Sequence, residues 1–340
     1  NADFTKALVF SSWNVVPDVV SALLSYEAER RMVEHEEGVK YETLYKSHRG
    51  LLRFAVSDGR VTGMNALALQ YPCVTLADEV SPLALWQQDP AGVVDGVRLR
   101  VRALIELLPN PSGRHDERWY WAAPVMLDAL KGKPLAFLES WALVHPSSKD
   151  AEHFDRDGDG EESDASRFAD HVHELIKAAQ GELALGSRPS DLEDVLTEMA
   201  LGAPAVLAMR SLRATGCSLL ARQKGATLVA EGFRSLFNQP AAIAVVRRAH
   251  PDVAHWQATL RYAIDGGLQA VLDEHFHQTW LRSEWDASTE DETAHKVANE
   301  MGFAASIKVS RVGLDALRPS ADGLSDDTVR DRIAQMLSEV

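Results

Sequence analysis

The chain has 340 residues, of which 46% are hydrophobic, enough to bury one large or two ordinary cores. Its formal net charge is −15, so the average surface repels nucleic-acid phosphates and a stand-alone nucleic-acid-binding module is disfavoured. The two cysteines, Cys73 and Cys217, show no pairing pattern. They exclude a disulfide framework and a cysteine zinc site, and they favour a reducing compartment, the cytoplasm.

No apolar stretch approaches the roughly 20 residues that a bilayer-spanning helix needs, and a basic segment followed by an apolar signal core is missing. No membrane partner is therefore expected. The chain starts almost directly on a predicted strand, which suggests a fragment cut from a longer protein.

The first predicted element is a strand at residues 6–12, within the run K-A-L-V-F-S-S-W. A short apolar run that ends in small hydroxyl residues is typical of a buried parallel strand whose carboxyl end opens onto a site. The stretch 14–31 then predicts a helix, because Asn14 or Asp18 can cap it and its apolar residues recur at three- and four-residue spacing. A strand that leads into a helix is half of a βαβ unit.

This β-α unit resembles motif IV, the opening of the second RecA-like lobe of superfamily 2 helicases and SNF2-type translocases. Two other stretches, S-Y-E-A-E-R-R-M at 25–32 and L-Q-A-V-L-D-E at 268–274, are similar to segments of large bacterial helicase-like proteins that carry a long helical insertion in that lobe. The resemblance implies nucleotide or nucleic-acid binding at Ser11, Ser12 and Trp13.

For the whole protein, the resemblance implies ATP-driven movement on DNA or RNA, with ATP and Mg²⁺ held by the remaining helicase lobes of the same polypeptide. This chain contains neither a G-x-x-x-x-G-K-[ST] phosphate loop nor a recognisable motif V or VI. We therefore expect no cofactor in this chain and no ATPase activity of its own.

Further short strands are predicted at 51–56, where an Asp-Gly turn signal follows, at 72–77 and at 303–310. Between and after them the periodicity is helical, including helices over 93–108 and 117–130 and a last helix over 324–340. The predicted fold class is mostly α with a few short strands (α+β): a partial RecA-like β-α element followed by a multi-helix domain.

An aromatic cluster occurs at Trp119, Tyr120, Trp121 and Trp141. Exposed rings of this kind stack nucleic-acid bases. The spacing of the apolar residues from Trp119 to Leu130 is helical, which favours core packing over a base platform.

The segment 147–166 is polar, acidic and glycine-containing, which predicts a mobile surface loop. Its D-x-D-x-D-G order from Asp155 copies the first half of an EF-hand calcium loop. The second half fails, because Glu162 stands at the usually apolar position eight and Ser166 at position twelve, where a bidentate glutamate belongs. We expect no specific calcium site.

Helix follows helix from residue 167 to 302, including one continuous helical stretch over 253–280, without a fixed repeat. Asp273 and Glu274 resemble the magnesium-binding acids of P-loop ATPases, but their surroundings are spaced as a helix. Arg247 and Arg248 resemble the arginines of helicase motif VI, but Pro251 stands where a further arginine belongs, so a charged helix end is favoured.

Histidine pairs occur at His171 and His173 and at His275 and His277. Residues two apart on a helix point about 200° apart, whereas chelation on one face needs i and i+4 spacing. No metal site is therefore predicted.

The predicted organisation is a helicase-like start over 1–60, a helical subdomain with the aromatic cluster over 61–146, the acidic loop 147–166 and a helical insertion domain over 167–340. The leading hypothesis is a scaffold or regulatory insertion of a helicase-like ATPase that acts on nucleic acid. The alternative is an independent helical module that binds a protein partner.

Overall fold

The computed structural model describes residues 50–57, 60–85, 87–133, 135–148, 164–283 and 288–306, together with Val20 and Leu24. The chain divides into two compact units, one of residues 50–306 and one of residues 1–49 with 307–340. The predicted strand 6–12, Ser11, Ser12, Trp13 and the predicted helix 324–340 lie outside the described residues, as do residues 149–163 of the acidic segment.

The unit of residues 50–306 opens with a short antiparallel hairpin and is otherwise helical. Strand β1 (Ala55–Ser57) pairs with β2 (Arg60–Thr62), with Val56 opposite Val61. The α-helices of the described residues are, in chain order, α1 (Leu67–Gln70), α2 (Val74–Glu79), α3 (Pro90–Ile105), α4 (Trp119–Leu130), α5 (Leu135–Val144), α6 (Asp164–Gln180), α7 (Leu192–Gly202), α8 (Pro204–Leu212), α9 (Leu219–Phe237), α10 (Pro240–Ala249), α11 (His255–Asp265), α12 (Leu268–Ser283) and α13 (Glu290–Ser306). Short 3₁₀ helices lie at Met64–Ala66, Pro82–Leu85, Pro146–Ser148 and Arg213–Thr215. The predicted fold class, mostly α with a few short strands, is confirmed.

The strand predicted at 72–77 is wrong, because Val74–Glu79 is helix α2. The residue before this helix, Cys73, makes no side-chain cap. The carboxylate of Asp128 on α4 accepts the backbone N–H groups of Val74 and Thr75 instead, at 3.1 and 2.8 Å. A cap supplied from a distant helix therefore outweighs the strand preference of a Val-Thr-Leu run.

The strand predicted at 51–56 is confirmed only at its end, since β1 begins at Ala55. The strand predicted at 303–310 is wrong over 303–306, which belong to α13, and its other residues lie outside the described ranges. The loop predicted at 147–166 is wrong at its C-terminal end, where α6 begins at Asp164. At its other end, Ser147 and Ser148 lie in a 3₁₀ turn.

The continuous helical stretch predicted over 253–280 is broken into α11 and α12. The break falls at Gly266 and Gly267, and Gly267 has a φ of +63°. This left-handed conformation is routine only for glycine, so the sequence encodes the turn at that residue.

The centre of the core is α8, in which every residue from Pro204 to Leu212 is buried. It packs against α1, α2, α7, α9 and α12. The predicted segments 61–146 and 167–340 both contribute helices to this core, so their described parts share it. No single helix in the described part of the chain is long and apolar enough to cross a membrane; α7 and α8 pass that test only together, across a 49° bend.

Helices α9 and α13 approach each other backbone to backbone. A Cβ added at Gly232 of α9 would stand 2.3 Å from the carbonyl oxygen of Gly302, and one added at Gly302 would stand 2.7 Å from that of Leu228. Farther along, a Cβ at Gly225 would stand 3.0 Å from the Cβ of Ala298. Small residues on both helices therefore set the distance between their axes.

Gly232→Ala is expected to lower the free energy of unfolding by about 1–3 kcal/mol, because α9 and α13 must move apart to admit the methyl group. Chemical denaturation of the whole chain measures this change. The control is Gly266→Ala, where φ is −77° and the nearest atom to an added Cβ is 3.3 Å away. Equal stability of the two variants would contradict the close approach.

Candidate functional site at the two ends of the helical unit

The first residues of the unit are fixed to the C-terminal end of α9. The N–H of Leu52 donates to Oδ1 of Asn238 at 2.8 Å, and Nδ2 of Asn238 donates to the carbonyl of Leu52 at 3.1 Å. Asn238 thus pairs with both backbone groups of one residue, as a neighbouring strand would. Arg234, one turn earlier, also donates to the carbonyl of Leu52, at 3.4 Å.

The last residues of the unit lie against the same part of α9, through the contact between Gly302 and Gly232. Residues 232 and 238 are separated by about 9 Å along a helix that rises 1.5 Å per residue. The entry and the exit of the unit therefore meet the last two turns of one helix.

Besides its backbone hydrogen bonds, the entry segment is held by the side chain of Phe54. Its side chain is 8% exposed, and its ring lies 5.0 Å from the rings of Phe168 and His171 and 5.8 Å from that of His145. The guanidinium of Arg234 stands 5.5 Å from the ring centroid, within the range of a cation–π interaction. The segment is thus held by aromatic packing as well as by hydrogen bonds.

The hairpin that follows is held by His171, a member of one predicted histidine pair. Its Nε2 lies 2.7 Å from the carbonyl oxygen of Thr62 and its Nδ1 lies 2.7 Å from that of Arg167. His173 is exposed on the same helix, so the two rings do not share a face. His171 therefore has a structural role, because its ring fixes β2 to α6.

A chain of hydrogen bonds, of which the one between His145 and Gln70 is fully buried, joins the entry to the residues that precede the acidic segment. Arg234 donates to Glu231 at 2.9 Å, and the amide nitrogen of Gln70 donates to Glu231 at 3.2 Å. The amide oxygen of Gln70 lies 3.1 Å from Nε2 of His145. The N–H of Ser147 donates to Nδ1 of His145 at 3.2 Å.

These partners require a neutral His145 that carries its proton on Nε2, because Ser147 needs an acceptor at Nδ1. Burial, with a smaller contribution from the charge of Arg234, lowers the pKa of His145 well below its usual value. The hydrogen-bond geometry and the lowered pKa therefore both indicate that the His145 ring is uncharged.

The carboxyl group of Asp128, whose residue is 2% exposed, is closed to ligands. It accepts hydrogen bonds from the hydroxyls of Tyr71 and Thr75 at 3.0 and 2.6 Å, besides the two backbone groups at the start of α2. Burial raises the pKa of Asp128, and burial followed by the charge of Asp128 raises that of Tyr71. All of these donors belong to the core, so the group organises packing.

Asp273 and Glu274 lie on α12, as the helical interpretation predicted. Asp273 accepts hydrogen bonds from Ser211 and, at 2.9 Å, from Gln269, while Glu274 accepts from a side chain one turn away. Arg210 donates to Gln269 at 2.7 Å, and burial lowers its pKa to about 10. This polar cluster ties α8 to α12.

Two further sequence candidates, the arginine pair and the aromatic cluster, lie as their structural interpretations predicted. Arg247 and Arg248 occupy the last turn of α10, so the charged helix end is confirmed. The aromatic cluster is buried as predicted, since Trp119 and Trp141 are 0% exposed. Among the described residues no group of three or more histidine, cysteine, aspartate or glutamate side chains is placed to hold a metal ion.

Comparisons with protein-family models, with curated proteins and with solved structures gave no match to this chain. The site described here, formed by Leu52, Phe54, Arg234, Asn238 and the glycine contact, was missed by sequence reasoning. Its residues are spread over more than 200 positions and belong to no motif. The Asn at the end of α9 and the glycines of α9 and α13 were the only local signals.

Arg234→Met is expected to increase amide hydrogen exchange in residues 50–57 by roughly ten-fold, because it removes the partly buried hydrogen bonds to Leu52 and Glu231. Exchange in α8 should not change. Arg248→Met, an exposed arginine at the end of α10, is the matched control. Equal exchange in the two variants would mean that Arg234 does not hold the entry segment.

The lowered pKa of His145 predicts that the free energy of unfolding depends on pH. Its pKa is lowered in the folded state, so its contribution is present above the unfolded value of 6.5. It is lost as the pH falls below that value, because the unfolded chain then binds a proton that the folded chain does not. His145→Gln should flatten the decline between pH 7 and 5 by up to about 1.4 kcal/mol per pH unit.

Urea unfolding at a series of pH values measures the slope for each protein. His173→Gln is the control, because that side chain is exposed on α6. A slope unchanged by His145→Gln would contradict the buried neutral ring.

Proposed function

We propose that residues 50–306 are a helical module inserted into a cytoplasmic helicase-like ATPase of superfamily 2. In this proposal the module is a scaffold or regulatory element, and the remaining lobes of the same polypeptide bind ATP, Mg²⁺ and DNA or RNA. The observation that carries the proposal is that both ends of the unit meet the last two turns of α9.

An inserted domain has to leave and rejoin its host at neighbouring points, because otherwise it would pull the host element apart. In this unit the entry is fixed by Asn238 and Arg234, and the exit is fixed by the contact of Gly302 with Gly232. An independent module has no such requirement. Proximity of the two ends therefore supports the insertion.

The described polar clusters support a module without a catalytic role. Phosphoryl transfer needs a phosphate-binding lysine, an acid that holds Mg²⁺ and an arginine, all directed at one open site. Asp128 and Asp273 instead accept hydrogen bonds from core side chains, and the buried arginine Arg210 donates to Gln269 and to carbonyl groups. The catalytic groups would come from the other lobes.

One feature favours the alternative, an independent protein-binding module. Leu99 of α3 is 64% exposed, and Leu107, just past the C-terminal end of α3, is 51% exposed. Ala103 between them is also exposed. At four-residue spacing Leu99 and Ala103 share one face of α3, and Leu107 follows two residues beyond the end of that helix. An apolar stripe of this kind is what a helical partner would cover.

The test is phosphate release. We expect the purified chain to hydrolyse no ATP, and the full-length protein to hydrolyse ATP faster when DNA or RNA is added. Replacing residues 50–306 of the full-length protein by a short Gly-Ser linker should keep basal ATPase activity, because the two ends are close enough for the linker to join them.

Two results would contradict the proposal. Phosphate release by the purified chain that is lost in Asp273→Ala but survives Arg247→Ala would place a catalytic site on α12. A full-length protein that is inactive with every nucleic acid tried would favour the interaction module.

A further inference from the structure

The ring of His171 joins the β1–β2 hairpin to α6 through two short contacts. Its Nε2 lies 2.7 Å from the carbonyl oxygen of Thr62, the last residue of β2, and its Nδ1 lies 2.7 Å from the carbonyl oxygen of Arg167, one turn earlier on α6. His171 is 0% exposed. Within the described part of the chain these two carbonyl groups are the only polar partners of the ring.

Both partners of the ring are acceptors. A carbonyl oxygen has no proton to donate, so each ring nitrogen beside one must carry a proton. A neutral imidazole carries a proton on one nitrogen only, which would leave the lone pair of the other nitrogen facing an oxygen 2.7 Å away. Distances this short are typical of hydrogen bonds from a charged donor.

The opposite orientation of the ring does not remove the conflict. A half-turn of the imidazole would exchange its nitrogens with carbons. Two ring carbons would then stand close to the present nitrogen positions, 2.7 Å from the carbonyl oxygens, whereas C–H···O contacts need about 3.3–3.6 Å. The doubly protonated ring is therefore the form that fits both contacts.

Burial disfavours a charged ring, so the charge of His171 needs compensation. Its two hydrogen bonds are charge-assisted, which makes them about twice as strong as neutral ones. The ring of Phe54 lies 5.0 Å from that of His171, within the range of a cation–π interaction. Arg234, which stands 5.5 Å from the centre of the same Phe54 ring, is itself paired with Glu231 at 2.9 Å.

The titratable groups around His171 supply no counter-ion within the described ranges. On α6, Glu174 is paired with Lys177 at 2.7 Å, and Asp170 and His173 are exposed. The groups on the entry segment, the hairpin, α4 and α5 are exposed or hydrogen-bonded elsewhere: Arg53, Arg60, Glu139, Tyr120, Asp128 and His145. The two carbonyl groups and Phe54 are therefore what stabilises the charge.

We propose that His171 is a proton-dependent latch that holds the β1–β2 hairpin on α6. With both nitrogens protonated, the ring bonds β2 and α6 at once. Loss of one proton breaks one of these bonds and leaves a lone pair facing a carbonyl oxygen, so the hairpin loosens. Because the hairpin directly follows the entry segment, the latch controls how firmly the first residues of the unit are held.

The sign of this effect is opposite to that of His145. The docked hairpin favours the protonated ring of His171, so the contribution of the latch is present at low pH and is lost as the pH rises and the ring loses its proton. The neutral ring of His145 stabilises the fold at high pH instead. The two histidines, both in contact with Phe54, can therefore be told apart by experiment.

The first measurement counts the protons on the ring nitrogens by NMR of the whole chain with ¹⁵N-labelled histidine. We expect two N–H signals for His171 at pH 6 and one for His145, which is the internal control. His171→Gln assigns the signals. A single N–H signal for His171 at pH 6 would overturn the proposal, and so would two signals that persist to pH 9, because the ring would then not respond to pH.

The second measurement is amide hydrogen exchange in β1 and β2, expressed as protection relative to an unfolded chain at the same pH. Between pH 6 and 9 this protection should fall by up to about ten-fold per pH unit, the limit for one linked proton, while that of α8 stays constant. His171→Gln should abolish the pH dependence, and His173→Gln, a change at an exposed residue of the same helix, should keep it. Hairpin protection that does not change when His171 loses its second proton would show that the ring is not a latch.

Discussion

The backbone contact between Gly232 and Gly302 is the constraint on which the arrangement of the helical unit depends. Side chains at either position would separate α9 from α13, so the absence of a Cβ fixes where the chain leaves the unit. Six residues beyond Gly232, Asn238 fixes where it enters, through paired hydrogen bonds to Leu52. One helix thus determines both ends, and the proposed insertion into a helicase-like host rests on this geometry.

The same helix faces the core with polar groups as well as small ones. Gln223, Thr227 and Glu231 follow each other at four-residue spacing. Gln223 bonds to α5 and Glu231 to α1, while Thr227 donates to the carbonyl of Gln223 within α9. A polar stripe in a core is costly unless every group is paired, and a paired stripe restricts how the helices can slide. The neutral His145 is one consequence of this requirement, because its ring supplies the partners that Gln70 and Ser147 need.

Sequence periodicity predicted much of this fold, because an amphipathic helix is encoded by residues within one or two turns. Helices over 93–108 and 117–130 were placed correctly to within a few residues. The wrong predictions concern segments whose secondary structure is determined by residues that are distant in sequence. Val74 and Thr75 have strand propensity, yet Asp128 caps them as a helix across more than 50 positions. Leu52 and Phe54 belong to a sequence pattern that predicts a strand. In the structure Phe54 packs against α6, and Leu52 is bonded to the end of α9 instead.

The candidate site was harder to predict for the same reason. A catalytic motif places its groups close in sequence or in a recognisable order, and the groups that resembled such motifs, Asp273 with Glu274 and Arg247 with Arg248, lie on ordinary helices. The residues that hold the ends of the unit are chemically common and are joined only by the fold. For an insertion this is expected, because the property that matters is the distance between two chain ends. That distance is set by packing along α9, where one substitution at Gly232 would act on the exit and one at Arg234 on the entry.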